Sequence, residues 1–137
     1  MSNDWVRDIS DMHKKFGVHA WVRKNKDNKE LMKKFLDFRL KFLEEELNET
    51  ISAVKEGDAE EVVDGLIDLC VVAIGTLDSF EAMSYQAWNS VHKANMSKEP
   101  GVKESRPNPL GLPDLIKPKD WKGPEHSENT GLLTNCI

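Results

Sequence analysis

Three features of this sequence predict an all-α fold. Apolar residues recur at helical spacing from about residue 4 to residue 98, that stretch contains no proline, and it contains only one run that reads as a strand. All six prolines fall after residue 99, so the remainder cannot continue as a long helix. The expected architecture is an antiparallel bundle of four to five helices, residues 1–98, followed by an extended proline-rich C-terminal arm, residues 99–137.

The first helix is expected from about Asp4 to Phe16. Trp5, Ile9, Met12 and Phe16 stand at helical spacing and Gly17 supplies a stop. A short polar stretch follows His19, Ala20 and Trp21. The second helix runs from about Lys29 to Lys55, with Phe35, Phe38 and Phe42 on one face and Leu43, Leu47, Ile51 and Val54 on an adjoining one. Gly57-Asp58 ends it and starts the next, Asp58 being a natural N-cap with Glu60 and Glu61 at the positive end of the helix dipole. The third helix, about Ala59 to Leu77, is apolar round most of its circumference, the pattern of a central helix. Its run VVDGLIDLCVVAIG also suits a buried strand, but its length and the lack of a second such run favour helix. A fourth helix, about Ser79 to Ser97, offers Met83, Trp88, Val91 and Ala94 or Asn95, with Trp88 read as a core residue.

With 137 residues the chain has the length of one domain and a modest core, which makes sharing a core with a second subunit reasonable. A net charge of −5 argues against a nucleic-acid groove. An acidic chain that handles an anionic substrate must recruit cations to do so. Only Cys70 and Cys136 occur, and their placement indicates no disulfide framework. No apolar signal core and no transmembrane run is visible, so the expected location is the cytoplasm, away from membranes.

The chemistry is concentrated in two acidic patterns. EELNE supplies Glu45, Glu46 and Glu49; EEVVDGLID supplies Glu60, Glu61, Asp64 and Asp68. Residues three apart share a helix face, so Glu46 pairs with Glu49 and Glu61 with Asp64. The short turn at Gly57-Asp58 should fold the two helices antiparallel and bring the pairs face to face. Several ionised carboxylates on an otherwise apolar helix must face either water or positive charge. Four hard oxygen ligands suit Mg²⁺, with Mn²⁺ as an alternative. A di-iron carboxylate bundle would use Glu-x-x-His, and neither pattern contains a histidine. The competing reading is a non-catalytic helical oligomerisation or partner-binding module whose acidic faces are solvated.

From about Phe42 to Lys98 the chain resembles the MazG-like all-α nucleoside triphosphate pyrophosphohydrolases, a superfamily that includes phosphoribosyl-ATP pyrophosphohydrolase and the dimeric dUTPases. The E-x-x-E…E-x-x-D motif reads Glu46-Leu47-Asn48-Glu49 and Glu61-Val62-Val63-Asp64, and an Asn-x-x-Lys element reads Asn95-Met96-Ser97-Lys98. VHKANMSK and DGLIDLCVVAIGTL look like the small single-domain members carried by bacteriophages, which would place the chain in a host cytoplasm. Where some relatives carry a lysine four residues before the asparagine, this chain has Val91.

The resemblance implies cleavage of a (deoxy)nucleoside triphosphate, a dNTP such as dGTP or dCTP, to the monophosphate and pyrophosphate. It implies Glu46, Glu49, Glu61 and Asp64 as metal ligands and Asn95, Lys98 and Lys93 as contacts for sugar or phosphate. Glu45 or Glu46 would orient the attacking water or take its proton, and Asp68 would join the metal ligands or support them from behind. A homodimer or homotetramer is also implied. His13 and His19, near Phe16 and Trp21, read either as helix packing or as part of a stacking place for a base. The arm, with Leu115, Ile116 and Trp121 among Lys117, Lys119 and Lys122, is expected to pack on the body or on a neighbouring subunit.

Overall fold

The computed structural model describes residues 1–105 and 108–137; Arg106 and Pro107, inside the expected arm, lie outside the described residues. The fold is all-α apart from one small sheet. Its elements are α1 (Trp5–Lys15), α2 (Val18–Asn25), α3 (Lys29–Glu56), α4 (Ala59–Ser79), α5 (Ser84–Met96), β1 (Glu99–Gly101), β2 (Asp114–Ile116) and α6 (Leu133–Cys136). Two compact units result: residues 1–84 with 130–137, and residues 85–129. Among the described residues no helix is long and apolar enough to cross a membrane.

In the first unit, side-chain caps set the helix starts. Asp4, Asn28 and Asp58 each accept a backbone N–H three residues on, from Arg7, Leu31 and Glu61, at 3.0, 3.0 and 3.1 Å. Gly57 closes α3 in the left-handed conformation, φ 74°, and only Asp58 separates it from α4. The pairing of α3 with α4 follows from this turn. Arg39 of α3 ties it at the far end, its Nε donating to Thr76 Oγ1 at 3.1 Å and its Nη2 to the Val72 carbonyl at 3.0 Å.

The apolar core lies at that far end. Val22, Met32, Phe80 and Cys136 are buried together, with Val18, Phe35, Leu36, Leu132 and Leu133 packed around them. Phe35 stacks on Phe80 at a centroid distance of 5.6 Å and meets Trp21 at 4.8 Å. Such aromatic pairs contribute about 0.5–1.5 kcal/mol beyond the area they bury.

Several local expectations need correction. The stretch after Gly17 is a helix, α2, because Val18 and Val22 are drawn into the core although the surrounding residues are polar. α4 ends at Ser79 and α5 begins only at Ser84. The stop is made by Glu81 in the left-handed region, φ 54°, with the Ala82 N–H returning to the Leu77 carbonyl at 3.0 Å. A glycine would have marked this turn in the sequence; glutamate does not. Trp88 is 71% exposed rather than core, and of the spaced apolar residues of α1 only Ile9 is buried. The third helix of the sequence reading, α4, is not covered all round: Val63, Leu66 and Ile67 stand open, as do Leu47, Ile51 and Val54 of α3.

The C-terminal residues complete the first unit. The Leu132 N–H donates to the Phe80 carbonyl at 2.7 Å, and Gly131 makes that approach possible. Its φ is +54°, and a Cβ there would lie 2.3 Å from the Phe80 oxygen.

In the second unit β1 and β2 pair antiparallel, Glu99 opposite Ile116 and Gly101 opposite Asp114. The following loop runs along α5. The Trp121 indole N–H is shared between the Ala94 carbonyl at 3.0 Å and Ser97 Oγ at 2.9 Å, and the Glu125 N–H donates to Ser90 Oγ at 2.8 Å.

Replacing Gly131 by Ala is expected to destabilise the chain by at least about 2 kcal/mol. Roughly 1–2 kcal/mol comes from the left-handed backbone and the rest from the contact with Phe80. Urea unfolding of the two proteins measures the difference; equal midpoints would show that residues 130–137 do not contribute to the core.

Candidate active site

The acidic residues of α3 and α4 meet where the two helices approach closely. A Cβ on Gly65 would lie 2.2 Å from Thr50 Oγ1, so no larger residue fits without pushing the helices apart. Thr50 is buried and donates its hydroxyl to the Glu46 carbonyl one turn earlier, at 2.7 Å. Glu46 and Glu49 immediately precede this contact on α3, and Asp64 precedes it on α4.

Glu46 is half-buried, while Glu45, Glu49, Glu61 and Asp64 are exposed and Asp68 is half-buried. Burial raises the Glu46 carboxyl above the ordinary glutamate range, and the charges of Asp68, Glu49, Glu45 and Asp64 raise it further. Two of those charges belong to its own helix beside it and two to the facing helix. Asp64 and Asp68 of α4 thus bear on Glu46 across the helix interface. Glu61, in the first turn of α4, does not act on Glu46 to the same degree. Asp68, expected as an uncertain fifth member, exerts the strongest of the charge effects on Glu46.

Oxygen donors whose charges raise the Glu46 carboxyl are the kind of donor set that a hard divalent cation such as Mg²⁺ neutralises. Among the described residues their ligand atoms do not draw together in threes to within 4.8 Å, as those of another group do.

Asn95, Lys98 and Lys93 belong to the second unit. Lys98 Nζ donates to Asn95 Oδ1 at 3.0 Å, so the two members of the Asn-x-x-Lys element fix one another. The Trp121 ring carries two ammonium groups, Lys98 at 5.3 Å and Lys117 at 4.9 Å from its centroid. Lys93 lines a cleft of about 530 Å³ in which Lys119 and Lys122 stand beside Trp121 together with the carboxylates Asp120 and Glu125.

One group went unread in the sequence. His13 Nδ1 and His19 Nε2 each lie 2.8 Å from Asp78 Oδ2, joining α1, α2 and the last turn of α4. His13 is buried, Trp21 packs on Phe35, and Phe16 is exposed. Burial alone would raise the Asp78 carboxyl, but hydrogen bonds from His13, His19 and Ser10, with the charge of His19, outweigh it and hold the group below its usual range. The separation of 65 residues between His13 and Asp78 left no local signal to find.

A search of curated proteins finds no match to the chain, and a search of solved structures finds none either. Comparison with protein families does give one: residues 10–95 match the family described as phosphoribosyl-ATP pyrophosphohydrolase. The matched span contains both acidic pairs, the Thr50–Gly65 contact and α5 as far as Asn95. It covers well over half of the sequence, and the chain therefore belongs to the phosphoribosyl-ATP pyrophosphohydrolase family.

Proposed function

We propose that this chain hydrolyses the bond between the α- and β-phosphates of a (deoxy)nucleoside triphosphate, a dNTP such as dGTP or dCTP being the preferred class. The observation that carries this reading is the close approach of α3 and α4 at Thr50 and Gly65, which sets Asp64 and Asp68 against Glu46 across the two helices. Family membership supports the reaction class. The family description itself names phosphoribosyl-ATP, which carries the same α–β phosphoanhydride and belongs in any substrate comparison.

Glu46, Glu49, Glu61 and Asp64 are the proposed holders of Mg²⁺, with Mn²⁺ as a substitute. Such an ion, when bound, neutralises triphosphate charge and lowers the pKa of a water. Glu46, whose proton affinity is raised, or its neighbour Glu45 then orients the attacking water and accepts its proton. The water oxygen bonds to the α-phosphorus as the α–β bridging bond breaks, and pyrophosphate departs. Asn95, Lys98 and Lys93 are the proposed contacts for sugar and phosphate; mutual pairing of Asn95 and Lys98 supports a shared role. A homodimer or homotetramer is proposed on the open apolar residues of α3 and α4.

The direct test is a pyrophosphate-release assay over the canonical NTPs, dNTPs and phosphoribosyl-ATP with Mg²⁺ and Mn²⁺. Glu46→Gln and Asp64→Asn are each expected to lower kcat/KM by about 100-fold or more, the scale of losing a positioned acid–base or charge-stabilising group. Unchanged pyrophosphate release by both variants would sink the proposal.

A second expectation follows from sign. The folded chain holds Glu46 above its ordinary value, so ionising it opposes folding at neutral pH, and that penalty disappears as pH falls through the raised value. In chelator at pH 7, Glu46→Gln should therefore melt higher than the wild type, while added Mg²⁺ stabilises the wild type more than the variant. Asp68→Asn should lower the Glu46 carboxyl pKa, read by carboxyl-carbon NMR without divalent ions.

The Thr50–Gly65 contact is testable by a double-mutant cycle. Gly65→Ala should reduce both stability and pyrophosphate release, and Thr50→Ala in the same chain should restore part of each, since it removes the Oγ1 that lies 2.2 Å from the new methyl. Independent, additive losses would mean that the helix spacing does not set the site.

A further inference from the structure

The His13–His19–Asp78 group lies outside the machinery proposed for hydrolysis. Along α4, Asp78 stands fourteen residues beyond Asp64, about 21 Å at the helical rise per residue. Among the described residues it is the one group in which three potential metal-ligand atoms lie within 4.8 Å of one another. We propose that His13 Nδ1, His19 Nε2 and Asp78 Oδ2 form a second metal site, which takes a borderline transition-metal ion such as Zn²⁺ or Co²⁺ and fastens α1 and α2 to α4.

Donor chemistry selects the ion. Two imidazole nitrogens and one carboxylate oxygen suit Zn²⁺ and its first-row neighbours, whereas Mg²⁺ prefers an all-oxygen shell. The two acidic pairs and this group therefore sort cations by type. The distances also suit the ion. With ligand bonds of about 2.1 Å, ligand atoms at right angles stand about 3.0 Å apart and tetrahedral ones about 3.4 Å apart. Both nitrogens now lie 2.8 Å from the oxygen and all three ligand atoms lie within 4.8 Å of one another, so the oxygen must open from each nitrogen by about 0.2–0.6 Å to admit the metal.

The surroundings are those of a built site. The side chains of His13 and Asp78 are 6% and 13% exposed, which fixes their rotamers by packing, while that of His19 at 26% leaves an approach from solvent. Ser10 hydrogen-bonds the same carboxylate and orients it from behind. Each ligand comes from a different helix, and Gly17 is the joint between the first two. An ion here would cross-link a region whose helices are only 11 and 8 residues long. Binding requires the facing nitrogens to give up the hydrogens they now donate to Asp78, which exchange through water to the other nitrogen of each ring as the ion enters.

The competing state is proton-filled, with Asp78 accepting an N–H from each imidazole, and the two states differ measurably. The full chain, stripped with chelator, is titrated with Zn²⁺ by calorimetry and with Co²⁺ by visible absorption, with melting temperature followed in parallel. The expected result is one equivalent bound with nitrogen-ligated cobalt bands and a raised melting temperature. His19→Gln and Asp78→Asn should lose that equivalent, and Asp64→Asn, which alters the other acidic group, should keep it. Imidazole ¹⁵N resonances of the wild type supply a readout independent of any variant's folding: those of His13 and His19 should shift with Zn²⁺ and stay in place with Mg²⁺. Unmoved imidazole resonances, or full Zn²⁺ binding by His19→Gln, would overturn the assignment. Loss of pyrophosphate release in Asp64→Asn with this binding intact separates the two sites.

Discussion

Close contact between α3 and α4 at Thr50 and Gly65 is the constraint on which the acidic site depends. With no side chain at Gly65, the threonine of one helix sits directly on the backbone of the other. Carboxylates one turn away on each helix are then held within range of each other's charge, and Glu46 registers this in its raised proton affinity. The same contact works against the fold, because like charges brought together oppose it. Function and stability pull in opposite directions at this one place, as is common where charged groups are preorganised for chemistry.

The opposing stabilisation is placed at the other end of the α3–α4 hairpin. Phe80, Met32, Val22 and Cys136 are buried there, Arg39 ties α3 to the Val72 carbonyl and Thr76, and Asp78 gathers His13 and His19. Met32 precedes Glu46 by fourteen residues, about 21 Å of helix. The hairpin is thus anchored at one end and carries its acidic residues at the other, with Glu46 and Asp68 half-buried and Glu49, Glu61 and Asp64 exposed.

Legibility of the sequence followed the range of the interactions. Gly57 and Asp58 act on backbone groups within three or four residues, and the end of α3 and the start of α4 were readable from them. The i, i+3 spacing of Glu46 with Glu49 and of Glu61 with Asp64 is likewise local, and the short turn between the helices folds α4 back on α3 so that Asp64 and Asp68 bear on Glu46. By contrast, α2 has polar neighbours and forms because Val18 and Val22 enter a core built by distant residues. The end of α4 was hidden because Glu81 occupies a position that glycine usually marks. Trp88 was misplaced because helical spacing indicates that a face is apolar but not whether anything covers it.

By itself, then, the sequence determined the all-helical class, the α3–α4 hairpin and the acidic pairs on it, since these rest on backbone capping and helical periodicity. Tertiary structure alone decided that the last eight residues belong with the first unit, through Gly131 and the Phe80 carbonyl. It alone decided that Asp68 bears on Glu46 more strongly than the other acidic charges, and that two histidines near the N-terminus converge on an aspartate 65 and 59 residues away. The physical reason is common to these cases. Distances between residues far apart in the chain are set by how helices pack, and no local spacing encodes that.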